Sequence, residues 1–337
     1  MQYKKQLTQT ITNLMKQPKG ILAIDESTGS ADKRFEALGV ATTEEKRRNY
    51  RQMLITTPKI EEYVSGYILF DETIRQSTDD GVNFAKVLSD KGIEVGIKVD
   101  AGTTHLAFSD SELITEGLDG LRQRLIEYRD TFGATFAKWR AELHISDEKP
   151  SDAAMLTNAH ALARYAALCQ EEGLVPIVEP EVMITGDHSI DRCYQATAEN
   201  FDILFGELIA QNVWLPGVII KSSMVIDGVD AQTQSPAEKI AHMTVDCFKE
   251  YIPEEVGGIV FLSGGQSPEQ ARTNLYHVGL LEKQEKLPWE ITFSFGRAIQ
   301  QPALEHWAQH PDDYETGQAL LFETAKSNGN ASIGKNK

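Results

Sequence analysis

The chain has 337 residues, 41% of them apolar and 25% charged, a composition that buries a sizeable core and excludes disorder along the whole length. Its formal net charge of -17 excludes the broad basic surface that nucleic acid or an anionic membrane needs, although Lys and Arg gathered in a cleft can still hold a small anion. No stretch is long and apolar enough for a bilayer, the N-terminus lacks the apolar run of a secretion signal, and Cys169, Cys193 and Cys247 lack any CxxC spacing; the expectation is a cytoplasmic enzyme without disulfides or a thiolate metal site.

Residues 1–19 read as an extra N-terminal helix. Eight apolar, β-branched runs follow, at 20–27, 66–73, 92–100, 136–143, 175–182, 217–225, 257–265 and 289–298, most of them starting beside Gly or Pro and turning polar at the C-terminal end. The segments between them read as amphipathic helices with start signals. Thr42 with Glu45 makes a capping box before EEKRRNYRQML, Ser151-Asp152 precedes AAMLTNAHALARYAALCQ, and Ser235-Pro236 opens AEKIAHMTVDCFKEY. Eight strand–helix alternations, with no internal repeat and no Pro/Gly-rich linker, predict an α/β fold: a single (β/α)8 TIM barrel forming one catalytic domain over 1–337, with its core at about 18–308. From about Ser327 the sequence SNGNASIGKNK has the composition of a mobile C-terminal tail.

Barrels of this kind carry their reacting groups at the C-terminal ends of the strands. Here those positions hold Asp25, Lys98, Asp100, Lys138, Arg140, Glu179, Glu181 and Lys221. Lys138 with Arg140, and Glu179 with Glu181, are two residues apart and so share a strand face. One charge at a strand end is ordinarily just solvated. Three lysines set in apolar strands (GIKVD, FAKWR, VIIKSS) are different, because charge buried there must be paired or used.

Lys221 is the predicted nucleophile: Gly217, Val218, Ile219 and Ile220 precede it and no acid adjoins it in sequence. A nucleophilic lysine must be neutral, and an unperturbed one is neutral only once in ~2,500 at pH 7. Desolvation and the cations Lys98 and Lys138 would favour the neutral amine. A neutral amine attacks a ketone; a general acid expels water from the carbinolamine, and the iminium becomes the electron sink for carbon–carbon cleavage. Glu179 and Asp25 are the carboxylates available for those proton transfers.

Phosphate is expected after the last two strands, where residues 262–267 (LSGGQS) and 294–297 (SFGR) supply backbone N–H groups, hydroxyls and the Arg297 fork. Either loop alone also reads as an ordinary strand-exit turn. A second anion site is expected at Ser27, Thr28, Gly29 and Ser30, ahead of Lys33 and Arg34. Two such sites flanking a Schiff-base lysine predict a bisphosphorylated substrate.

The stretches GILAIDESTGS, GIKVD, FAKWR, ARYA, VPIVEPE, GDH, FLSGGQS and TFSFGRA resemble class I fructose-1,6-bisphosphate aldolase from about residue 18 to 308. The resemblance implies reversible cleavage of fructose 1,6-bisphosphate to dihydroxyacetone phosphate and glyceraldehyde 3-phosphate, in glycolysis and gluconeogenesis, without metal or other cofactor. It also implies phosphorylated sugars as partners and a homo-oligomer such as a tetramer. By the family's motifs Lys221 is the Schiff-base lysine, Glu179 the acid/base of carbinolamine chemistry and Asp25 the group handling the C4 hydroxyl proton. Lys138, Arg140 and Glu181 support charge and phosphate. Lys98, Ser27 and Ser30 then contact one end of the substrate, and Ser263, Gly264, Ser294, Gly296 and Arg297 the other.

Two features depart from the family pattern. Its terminal Tyr has no counterpart in a chain whose last tyrosine is Tyr314, so the enamine is expected to be protonated from within the barrel, by Glu179, or by water. Its Lys-Pro-Asn is here Lys221-Ser222-Ser223. Rival readings are a lysine-dependent barrel acting on another phosphosugar, an idle scaffold, and a metal-dependent aldolase. The last is disfavoured because His306 and His310, though four apart, flank Trp307 and lack a third ligand nearby.

Overall fold

The computed structural model describes residues 2–336. Each of the eight apolar runs forms a strand: β1 (Gly20–Ile24), β2 (Val64–Leu69) and β3 (Glu94–Lys98), then, after a short antiparallel pair β4 (Thr103–His105) and β5 (Leu113–Thr115), β6 (Phe136–Leu143), β7 (Val175–Val182), β8 (Ile219–Ser222), β9 (Gly258–Phe261) and β10 (Ile291–Phe295). Parallel pairing runs β1-β2-β3-β6-β7-β8-β9-β10, and β10 returns to β1 to close the barrel. The β4–β5 pair was not anticipated: its strands are three residues each, and β4 is exposed throughout, so no buried alternation announces it.

Strand alternation sorts the barrel into two hydrophobic compartments. Ile21, Ala23, Ile68, Phe136, Val175, Ile177, Ile219 and Val260 fill the lower interior, and Leu7, Ile11, Leu14 and Met15 from the N-terminal helix Lys4–Leu14 and its end close it from below. That extra helix therefore plugs the barrel floor. Neighbours of opposite parity, such as Leu22, Ile24, Val178 and Ile220, face the helical shell. Phe136 fits only because its neighbour across β3 has no side chain: a Cβ on Gly96 would lie 2.2 Å from the Phe136 ring.

Helix starts follow local chemistry. Ser151 caps Asp152–Glu171 by accepting from Ala154 N–H at 3.3 Å. Helix Glu44–Thr56 is capped by Thr43, accepting from Lys46 N–H at 3.2 Å, one residue later than the expected Thr42 box. Helix Ala237–Tyr251 has no side-chain cap; instead the Ser235 N–H binds Asp227 Oδ2 at 2.8 Å.

The expected mobile tail is a correction. Residues 327–332 continue helix Tyr314–Ser332, and Asn328, Gly329, Ala331 and Ser332 are buried. Small residues here serve close packing: a Cβ on Gly329 would meet the Pro18 carbonyl at 2.5 Å, and Ser332 Oγ donates to Gly329 O at 2.9 Å. Among the described residues no helix is long and apolar enough to cross a membrane.

Candidate active site

Parity on three adjacent strands carries the apolar filling of the barrel directly into charge. On β6 Phe136 is followed on the same face by Lys138 and Arg140, on β7 Ile177 by Glu179 and Glu181, and on β8 Ile219 by Lys221. The register sets Arg140 beside Glu179 and Lys138 beside Lys98. Residues two apart thus pass from oil-like packing to a cluster of ions within one turn of the pleat.

The ions alternate in sign. Glu179 Oε1 lies 3.1 Å from Lys221 Nζ, Glu179 Oε2 lies 2.9 Å from Lys138 Nζ, and Lys138 Nζ donates to Asp25 Oδ2 at 3.0 Å. Lys221 and Lys138 are each 4% exposed and Glu179 is 3% exposed, so the chain Lys221–Glu179–Lys138–Asp25 is internal. Burial acts to raise the Asp25 carboxyl, but Lys138, then Lys221 and Lys98, outweigh it and hold it down to about 2. Glu179 is likewise pushed up by burial and brought below its ordinary range by Lys138, Lys221 and Arg140. Burial opposes the charge on Lys138, and Asp25 with Glu179 restores it and raises its pKa.

One part of the sequence reading needs amending. Lys221 has no acid beside it in sequence, yet the fold supplies Glu179. Lys98, expected to act on Lys221 as a free cation, is held by its own neighbour: Nζ meets Asp100 Oδ1 at 2.5 Å and the Asp100 carbonyl at 3.0 Å. Arg140 binds Glu181 and, at 2.6 Å, Glu142.

The other expected residues fall into two cavities at this end of the barrel. One, of about 290 Å³, holds the ion chain together with Ser263, Gly264, Ser294, Gly296 and Arg297. The Ser294 hydroxyl is buried and makes no hydrogen bond among the described residues. Helix Arg297–Gln309 begins in this cavity with no side-chain cap, and among the described residues the N–H groups of Arg297 and Ala298 have no backbone partner outside the helix, which leaves them for an anion. The second cavity, of about 430 Å³, is lined by Ser27, Ser30 and Lys98 with Phe70 and Asp100. Arg140 lines both. Ser27 caps helix Thr28–Glu36, so this cavity too has a helix N-terminus beside a cation.

Glu26 and its partner Arg51 were missed. Glu26 lines the first cavity and binds Arg34, while its Oε2 accepts from Arg51 at 2.7 Å. Arg34, read from sequence as a neighbour of the second anion site, is turned instead toward this pair and Gln300. The only signal was the acid directly after Asp25; its partners lie up to 274 residues away. His306, discounted as a metal ligand, pairs with Asp313 Oδ2 at 3.0 Å. Among the described residues no group of three or more His, Cys, Asp or Glu is arranged to hold a metal ion.

With the geometry in hand, known proteins supply a context. The family profile described as fructose-bisphosphate aldolase class-I matches residues 6–337. A probable fructose-bisphosphate aldolase class 1 of Xanthomonas campestris pv. campestris is 52% identical over 332 residues, covering 98% of each chain. Fructose-bisphosphate aldolase C-B of Danio rerio is 43% identical over 98% of this chain and 91% of its own. Among solved structures, fructose-bisphosphate aldolase from Plasmodium falciparum, co-crystallised with TRAP and a small-molecule inhibitor, superposes with a TM-score of 0.95 at 38% identity, covering 99% of this chain and 95% of that one.

Proposed function

This chain belongs to the class I fructose-bisphosphate aldolases, and from that premise we propose how its own residues divide the work. The reaction is the reversible aldol cleavage of fructose 1,6-bisphosphate to dihydroxyacetone phosphate and glyceraldehyde 3-phosphate through a lysine Schiff base. Lys221 is the nucleophile. Its contact with Glu179 at 3.1 Å is the observation that carries the assignment, because the group that must exchange protons with the carbinolamine already touches the amine.

Lys221 passes a proton to Glu179, and its neutral amine attacks the substrate ketone to give a carbinolamine; Glu179 returns that proton to the departing hydroxyl, water leaves, and the iminium forms. Asp25 then takes the C4 hydroxyl proton as the C3–C4 bond breaks, the electron pair moves into the iminium, and an enamine and the free aldehyde result. A carboxyl held down at about 2 is a weak base at rest, so this transfer is coupled to bond breaking, when the hydroxyl becomes acidic. Lys138, between the two carboxylates, balances their charge at rest and holds them apart. Protonation of the enamine from Glu179 or water, followed by hydrolysis, releases dihydroxyacetone phosphate and restores Lys221.

The two cavities take the two phosphates. Ser263, Gly264, Ser294, Gly296 and Arg297 hold one, Ser27, Ser30 and Lys98 the other, with Arg140 between them and Glu181 beside it in the first cavity. Support for this reading is the pair of helix N-termini, each beside a cation. The three buried, unpaired cysteines suit the reducing cytoplasm, where we place the enzyme, and the homo-oligomer rests on the family resemblance. Sodium borohydride added with dihydroxyacetone phosphate tests the core of the reading. Peptide mapping is expected to find the reduced adduct on Lys221; an adduct on Lys98 or Lys138, or none, rejects the assignment.

A further inference from the structure

One turn beyond Arg297, on the same helix, Gln300 is 0% exposed and satisfies all its hydrogen-bonding capacity at the end of β1. Its Nε2 donates to the Ala23 carbonyl at 2.6 Å and to Glu26 Oε1 at 3.0 Å. Its Oε1 accepts from the Tyr50 hydroxyl at 3.0 Å and from Arg34 Nη1 at 3.2 Å. The orientation is fixed by chemistry. A guanidinium only donates and a backbone carbonyl only accepts, so oxygen must face Arg34 and nitrogen must face Ala23. Tyr50 is a neutral donor, because burial holds its phenol far above the ordinary value.

The two groups that Gln300 grips, Ala23 and Glu26, bracket Asp25 in the chain. The backbone that Gln300 anchors on its own side is the phosphate loop: its N–H binds the Gly296 carbonyl at 3.0 Å. A Cβ on Gly296 would sit 3.3 Å from the same Ala23 oxygen, so loop, amide and strand end are packed together. Glu26 is itself braced by Arg34 and Arg51, which overcome its burial and keep the carboxyl ionised. We propose that Gln300 is a positioning residue that sets Asp25 and the Gly296–Arg297 anion site at a fixed separation, coupling the C4 proton transfer to phosphate binding. This rests on the roles given above to Asp25 and Arg297. Among the described residues no hydrogen bond or ion pair joins Lys221 or Glu179 to Gln300, Ala23 or Glu26, so Schiff-base formation is separable from what Gln300 controls.

The deciding quantity is cleavage rate per trapped lysine. Gln300→Met preserves length and volume and removes all four hydrogen bonds. At saturating dihydroxyacetone phosphate, borohydride is expected to trap Lys221 to the wild-type extent, with the half-saturating concentration raised. The kcat for fructose 1,6-bisphosphate, divided by the trapped fraction, is expected to fall tenfold or more, and KM to rise. A merely structural role would lower trapping and cleavage together, so a fall in kcat per trapped site of less than tenfold overturns the proposal. If Gln300→Met does not fold, Gln300→Glu decides by the same threshold: it keeps the bonds accepted from Tyr50 and Arg34 but cannot donate to Ala23 and Glu26 when ionised. Failure of the wild-type enzyme to yield a Lys221 adduct would instead reject the earlier assignment.

Discussion

The floor and the mouth of the barrel are built from the same strands, two residues apart, yet they solve opposite problems. At the floor Phe136, Val175, Ile219 and Val260 pack against the N-terminal helix and leave water no access. At the mouth Lys138, Glu179 and Lys221 are as deeply buried as that apolar layer but are ions. Burial at the floor is favourable in itself, about 1.5–3 kcal/mol for each large side chain. At the mouth it is unfavourable, and is offset only because each charge touches one of opposite sign. Stability and reactivity are thus stacked along one strand direction, and substitutions in the two layers are expected to fail in different ways.

The largest effect is expected at Lys138, where Lys138→Met removes, among the described residues, the one ion pair of Asp25 and one of the two of Glu179. Cleavage should fall by a factor on the order of 10³, and the fold should lose about 3–5 kcal/mol at pH 8 as buried carboxylates lose their counter-ion. The sign with pH follows from the shifts. In the wild type Asp25 is held down to about 2, so its contribution is present above its ordinary value near 3.8 and is lost as pH falls toward 2. In the variant burial raises these carboxyls, which take up protons on acidification. The gap in Tm between the two proteins should therefore narrow from pH 8 to pH 5. Equal Tm values at pH 8 would show that Lys138 does not hold the pair.

Phe136→Ala strikes the floor of the same strand. A cavity left in close packing costs about 3–5 kcal/mol, or roughly 4–7 °C in Tm for a barrel of this size. Below the melting range kcat should stay within about threefold of wild type, because Lys138 lies beyond the lost ring and its ionic contacts remain. A tenfold loss of kcat in a fully folded variant would show that the floor positions the mouth, and would end the separation drawn above.

The sequence revealed these layers unequally, for physical reasons. Eight apolar runs became eight strands because burial on both faces writes itself as a continuous apolar stretch. Lys138, Glu179 and Lys221 stood out because charge is rare inside such stretches. The ionic pairing did not, since nothing in VIIKSS says that the carboxylate from VPIVEPE arrives at Lys221. Gln300 was invisible for the same reason: an unremarkable glutamine on a helix gains meaning only from Ala23, Glu26, Arg34 and Tyr50, all more than 200 residues away. The tail was misread because Ser, Asn, Gly and Ala serve equally for mobility and for close approach, and only Pro18 and Tyr63 opposite Gly329 decide which.

The smallest effect lies at the floor side, where one carboxylate has the opposite problem to Asp25. Glu282, near the end of helix Pro268–Glu285, accepts from the Ile291 N–H at 3.0 Å as β10 begins, and Gln17 Nε2 lies 3.1 Å from both its oxygens. Burial raises its pKa, Glu290 adds to the rise, and the two amide donors only partly oppose it, leaving the carboxyl at about 7. A folded-state pKa above the unfolded one means that the native protein holds this proton more tightly. Stability therefore falls as pH climbs from the ordinary carboxyl value near 4.5 to about 7, and stays at the lower level above it. Gln at this position has the same shape and nothing to ionise; its carbonyl can accept from Ile291, and Gln17 can turn its own amide to present oxygen. Glu282→Gln should then gain about 1–3 kcal/mol at pH 8, roughly 1–4 °C in Tm by calorimetry, and nothing at pH 4.5, with kcat unchanged at both. A gain of the same size at both pH values would mean that packing rather than proton binding sets the difference, while a loss at pH 8 would show that the ionised carboxylate is stabilising here, as its counterparts at the mouth are.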